Sequence, residues 1–237
     1  MPPPCCTETP VPGLVHDPVR PITQYASADL IGPIAYDGHD PARDPAWQTT
    51  GAPSQTIYGR WCRHLCGMAC LHMVLLHRDG HAPDLFELLA GARHFGAYVR
   101  ETDGIKGLIY RPFAEYVEHT YRIPAAVHPE LDLDGLAALL DDGHMVMASV
   151  SKEIRRPEHD PEQREGHLVL AIGRTEGQIA FRNPSGHTPQ ALAPVMPMDR
   201  FGDFFAGRGI SLDVRRTVRH PPARTSVSGP VASQPTT

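Results

Sequence analysis

No stretch of about 18 consecutive apolar residues occurs in this 237-residue chain, so no transmembrane helix is expected. An excess of positive charge is also missing. Twenty-two Lys and Arg stand against 27 Asp and Glu, and a net charge of -5 gives no reason to expect nucleic acid or an anionic membrane as a partner. The opening Met1-Pro2-Pro3-Pro4-Cys5-Cys6 has no basic region followed by an apolar one, so no secretory signal is read there and the cytoplasm is the expected location. Cysteines are few and odd in number, five, which at this size and in that compartment argues against a disulfide framework. No internal repeat is visible, and nothing signals an oligomeric state. What is present is enough apolar sequence, 41%, for a sizeable core, in one domain with tails or, as the second choice, two small domains.

Proline, with 25 residues, marks the edges. Residues 1–22 are Pro-rich and poor in periodic apolar positions, and residues 215–237 become rich in Pro, Ser and Thr from His220 onward, so both are expected to be disordered tails. Residues 23–56 read as an extended arm, with Leu30–Tyr36 as a short strand or as part of that arm. The main domain is expected over 57–214. There the pattern gives helices at 66–78, about 84–95 (with Pro83 at a first-turn position), 106–121 and 133–140, the last ended by Gly143. The period then changes. Met145–Val150, Leu168–Ile172 and Gln178–Phe181 read as strands, the last two joined by a hairpin at Thr175-Glu176-Gly177. A short helix near 199–206 and a strand near 209–214 complete an α+β domain in which helices precede antiparallel strands.

Cys66-Gly67 stands immediately before an apolar helical run. A thiol there lies in the first turn of a buried helix, where unpaired N–H groups and the helix dipole favour the thiolate. The bland alternative is a buried structural cysteine. Gly67 would permit close approach by a substrate. His167 leads the apolar strand Leu168-Val169-Leu170-Ala171, a rigid mount for a general base. Asn183-Pro184 follows the next strand and either orients that histidine or is a plain turn. Cys, His and Asn in this order are the chemistry of a nucleophilic site. Cys62, Cys66 and Cys70 recur every four residues, but the spacing does not match common zinc sites, and no metal or cofactor is expected. The charged stretch 152–165, between two strands, is either a substrate gate or a solvated loop.

The segment Cys66-Gly67-Met68-Ala69-Cys70-Leu71-His72-Met73-Val74-Leu75 resembles the C-G-x-A-C-L-x-M-x-L nucleophile motif of the papain-like, bacteriocin-processing (double-glycine leader) cysteine peptidases and their free-standing relatives. The likeness continues in order through Gly166–Gly173 and Asn183-Pro184-Ser185-Gly186, and covers about residues 57–214. It implies a papain-like cysteine peptidase fold, with the nucleophile helix packed on an antiparallel sheet. It also implies Cys66 as nucleophile, His167 as base and Asn183 as its orienting group, where the family usually has Asp. The family's oxyanion-hole glutamine, six residues before the cysteine, is replaced by Arg60, which can donate hydrogen bonds to an oxyanion or bind a substrate carboxylate. No membrane-spanning or nucleotide-binding part accompanies the motif. The resemblance thus implies a thiol-dependent hydrolase or acyltransferase acting on a peptide or amide. The alternative is a peptide-binding domain of the same fold that has lost its chemistry.

Overall fold

The computed structural model describes residues 16–101, 104–105 and 107–215, so Cys5, Cys6 and nearly all of the expected C-terminal tail lie outside the described residues. Residues 16–30 run along the domain surface to the short helix α1, Ile31–Tyr36. Helices α2 (Gln55–Trp61), α3 (Cys66–Asp79) and α4 (Leu85–His94) follow. After them come a two-residue ladder of β1 (Arg100–Glu101) with β2 (Gly104–Ile105), helix α5 (Tyr110–Tyr121), strand β3 (Ala125–His128) and helix α6 (Leu133–Asp141). The second half contains β4 (His144–Ser151), β5 (Gly166–Thr175), β6 (Gln178–Arg182), α7 (Pro189–Leu192), β7 (Val195–Pro197), α8 (Met198–Phe204) and β8 (Phe205–Asp213). The six strands from β3 onward form one sheet in the order β3-β8-β4-β5-β6-β7, with every neighbouring pair antiparallel. This is the expected α+β architecture, a helix bearing the cysteine packed on an antiparallel sheet.

The strands read as unbroken apolar runs because both faces of the sheet are covered. Along β4, Met145 and Met147 face the layer that contains α3, while Val146, Ala148 and Val150 face α6 and α8. Along β5, Leu168, Leu170 and Ile172 take the first side, and Val169 and Ala171 the second. Helix α3 lies deepest. Met68, Ala69, Cys70, Leu71, Met73, Val74 and Leu75 are all buried, so most of its length is covered on every side; only its last turn, around His77, reaches solvent, and it ends at Gly80 in the left-handed conformation (φ 78°). On the other side Phe181 and Phe201 meet edge to face with centroids 5.4 Å apart. Burial of each such ring contributes about 1.5–3 kcal/mol.

Several boundaries differ from the sequence reading, each for a physical reason. Leu30–Tyr36 is not a strand, since Ile31–Tyr36 is helical and buries Ile31 and Ile34 on one side. The third long helix begins at Tyr110 rather than 106. Pro112, which has no N–H to donate, falls in its first turn, and Ile109 before it is extended. The last strand starts at Phe205, four residues before the expected 209. Strands β3 and β7, with four and three residues, are too short to show a period.

The expected tail boundary at residue 22 also moves. Residues 16–22 are packed on the domain: Val19 is buried, its carbonyl accepts from Arg182 Nε at 2.7 Å, and His16 Nε2 lies 2.8 Å from the Gly143 carbonyl. The rest of the arm is tied down by polar contacts. Asp44, fully buried, accepts from Ser27 N (3.0 Å), Ser27 Oγ (2.6 Å), Ala46 N (3.0 Å) and Tyr58 Oη (2.9 Å). Burial alone would raise its pKa, but these donors outweigh burial and hold the carboxyl below its usual range. Among the described residues no helix is long and apolar enough to cross a membrane.

Candidate active site

Cys66 is the first residue of α3 and, half-buried, lines a cleft of about 720 Å³. The start of β5 lines the same cleft, and pairing with β4 there sets His167 beside Val150 and Gly166 beside Ser151. His167 lines the same cleft, as do the extended segment Gly107–Ile109, Tyr110 and Arg208. Cys66 and His167 are therefore brought into one cleft from elements that are distant in sequence.

Asn183 follows β6 directly and is 1% exposed. Its Oδ1 lies 2.8 Å from His167 Nε2. The orientation of that amide is fixed by a second contact, because the Ser185 backbone N–H donates to the same Oδ1 at 3.1 Å. With the oxygen held there, His167 Nε2 must carry the hydrogen, and Nδ1 is the nitrogen free to accept a proton. Ser185 Oγ adds a third contact, 2.9 Å from His167 Nε2 and 3.2 Å from Asn183 Oδ1, and accepts from Arg155 Nε at 2.7 Å. Asn183 Nδ2 is buried without a hydrogen-bond partner among the described residues.

The electrostatics differ from the sequence expectation of a thiolate at a helix N-terminus. Burial pushes the Cys66 thiol above its ordinary pKa. The backbone N–H groups of Leu168 and Gly67 and the charge of Arg155 pull the other way but do not reverse the shift. Burial pushes His167 down to about 3, with Arg155 and Lys152 adding to it and the Asn183 bond opposing. Both shifts favour a neutral thiol beside a neutral imidazole.

Two other expected residues take different places. Arg60 is exposed on α2 and does not line the cleft, so it is not positioned as an oxyanion donor there. Among the described residues no asparagine or glutamine lines the cleft in its stead. Gly67 is buried, and the space a side chain would occupy is already held by Leu108 Cδ2, 2.9 Å from an ideal Cβ, with Tyr98 Oη at 3.4 Å. Its lack of a side chain serves packing inside the protein rather than approach by a substrate. Cys62 and Cys70 are buried free thiols, Cys62 pushed up to about 12 by burial. Among the described residues no group of three His, Cys, Asp or Glu side chains is arranged to hold a metal.

The sequence reading missed three contributors. Ser185 stands two residues beyond Asn183, inside the segment already singled out. Arg155 lies in the charged stretch 152–165, as the last residue of a short helical turn after β4. Gln24, from the arm, is 1% exposed; its backbone N–H donates to the Pro184 carbonyl at 2.8 Å and its Nε2 to the Cys62 carbonyl at 2.8 Å. It thus joins the approach to Cys66 to the turn that carries Asn183. No local pattern around residue 24 signals this.

No family model and no curated protein matches this chain. Solved structures do. The peptidase domain of Streptococcus ComA, described as a bi-functional ABC transporter involved in a quorum sensing pathway, is 16% identical with a TM-score of 0.44; the match covers 63% of this chain and 91% of that one. A putative C39-like peptidase from Bacillus anthracis is 15% identical with a TM-score of 0.46, covering 63% and 88%. A double glycine motif protease from an AMS/PCAT transporter, crystallised with a leader peptide, is 16% identical with a TM-score of 0.42, covering 62% and 84%. At these values the likeness concerns the path of the chain, and the chemistry of the cleft rests on the side-chain geometry above.

Proposed function

We propose that this protein is a thiol enzyme acting on a peptide or amide bond, with Cys66 as nucleophile, His167 as base and Asn183 as the group that sets the histidine tautomer. The observation that carries this reading is the orientation of the Asn183 amide. Fixed by Ser185 N–H, it leaves Nδ1 as the proton acceptor of a ring that shares a cleft with Cys66. On binding, the substrate carbonyl meets the Cys66 sulfur as the thiol proton passes to Nδ1. The backbone N–H of Cys66, at the start of α3, stabilises the oxyanion. His167 returns the proton to the leaving amine, and water or a second amine releases the acyl group.

With no side-chain amide among the described residues that line the cleft, turnover is expected to be slower than with a complete oxyanion hole, where one donor is worth roughly 10²–10³ in rate. That same feature favours the second reading, a cleft that binds peptides without cleaving them. The discriminating experiment is incubation of the full chain and Cys66→Ala with a diverse peptide mixture, with products and acyl-enzyme read by mass spectrometry. Loss of all turnover in the variant, with unchanged thermal stability, is the expected result. Full turnover in Cys66→Ala would overturn the proposal. Peptide binding by both proteins with cleavage by neither would establish the second reading.

A further inference from the structure

Three cations stand near the candidate site: Arg63 lines the cleft, Lys152 overhangs Gly166 in its wall, and Arg155 stands behind Ser185, facing a neighbouring cavity. Arg63, exposed at the cleft wall beside His64 and Cys66, uses Nη1 to reach the Ile34 carbonyl at 3.1 Å. Lys152 directly follows β4, and its ammonium lies over Gly166 at the cleft wall: a Cβ at that glycine would be 3.8 Å from Lys152 Nζ and 3.2 Å from Cε. Arg155 is anchored through Nε to Ser185, and its charge reaches both Cys66 and His167. Among the described residues none of the three pairs with a carboxylate. Among the described residues that line the cleft, the acidic one, Glu165, is bound by Arg208 Nη2 at 2.7 Å. A protein of net charge -5 thus presents a cationic rim at its candidate site.

We infer that the cleft takes a peptide segment with an acidic side chain close to the scissile bond, its carboxylate on the side of Arg63 and Lys152, with the charge of Arg155 added from behind Ser185. This rests on the thiol-enzyme reading and specifies its substrate class. A neutral or basic segment at this place leaves the cations unpaired or repelled, whereas a carboxylate satisfies donors already held near the reacting sulfur. The charge also raises the local concentration of acidic peptides at the cleft mouth. The loop carrying Lys152 and Arg155 then contributes to recognition.

The test uses two bromoacetylated peptides, bromoacetyl-Gly-Asp-Ala-Gly amide and its isostere with Asn for Asp, with iodoacetamide as a neutral reference. Site-resolved mass spectrometry gives the alkylation rate at Cys66 in the full chain. The Asp probe is expected to react about tenfold faster than the Asn probe, the sum of a few partly exposed charge pairs. That ratio should fall toward one in the Arg63→Gln/Lys152→Gln variant. It should also fall in wild type as salt rises from about 0.01 M to about 1 M, where the screening length drops from about 30 Å to about 3 Å. The wild-type salt series keeps the test intact should the double variant fold poorly. Labelling by iodoacetamide with equal Asp and Asn rates at low salt would overturn the substrate inference alone. Inertness of Cys66 to all three reagents would overturn it together with the thiol-enzyme reading.

Discussion

At the scale of single residues, the choice of Asn rather than Asp at position 183 sets the resting state of the pair. A neutral amide holds the ring but does not stabilise imidazolium, and Arg155 beyond Ser185 works against it. Asn183→Asp puts a carboxylate against Nε2 and should shift the pH profile of Cys66 alkylation to lower pH by about 1–2 units. Wild type should show a midpoint at or above the ordinary thiol value of about 8.5. Site-resolved labelling with iodoacetamide across pH checks both, and identical profiles for the two proteins would remove the electrostatic argument. The placement of Cys66, His167 and Asn183 together was legible in the sequence because each sits at the end of a regular element with a strong apolar pattern. Arg60 was misplaced for the converse reason. Position six before a cysteine fixes a side chain in space only if the intervening backbone is known, and here a short helical turn, Cys62–His64, separates α2 from α3. The raised pKa of Cys66 was not legible either, since the helix terminus is local and visible while the burial that outweighs it comes from the whole fold.

At the scale of elements, apolar periodicity revealed what the core holds, and polar contacts hid the rest. Helix α3 and strands β4, β5 and β6 follow directly from their buried residues. The arm does not, because Asp44, Tyr58 and Gln24 fix it through hydrogen bonds between residues tens of positions apart, which no window of sequence shows. Gln24 offers the most direct test. Gln24→Leu removes the donor to the Cys62 carbonyl and leaves that buried acceptor one partner short, an expected cost of about 1–3 kcal/mol. Denaturant unfolding measures the loss, and limited proteolysis should show faster cutting within residues 16–27. A variant with unchanged stability and unchanged proteolysis would mean that the arm is held elsewhere.

At the scale of the whole molecule, neutral histidines kept from protonation couple folding to pH. His167, His16, His64, His72, His128 and His187 all have folded-state pKa values depressed by burial first of all. Their unfolded counterparts bind protons below about 6.5. Between that value and about 3, where His167 titrates in the fold, the unfolded state takes up more protons. Stability is therefore expected to be fully present above about pH 6.5 and to decline as pH falls toward 3. Thermal unfolding at a series of pH values checks this, and His167→Gln should flatten the slope; a flat profile in wild type would contradict it. The arm carries a consequence of a different kind, for where the working unit begins. A fragment trimmed to the stretch of sequence likeness, starting at residue 57, would keep all three candidate catalytic side chains and discard Gln24, Val19 and His16. Such a fragment should retain its sheet yet lose the strap across the two halves of its site, so inactivity in it would say nothing about the chemistry of the complete protein.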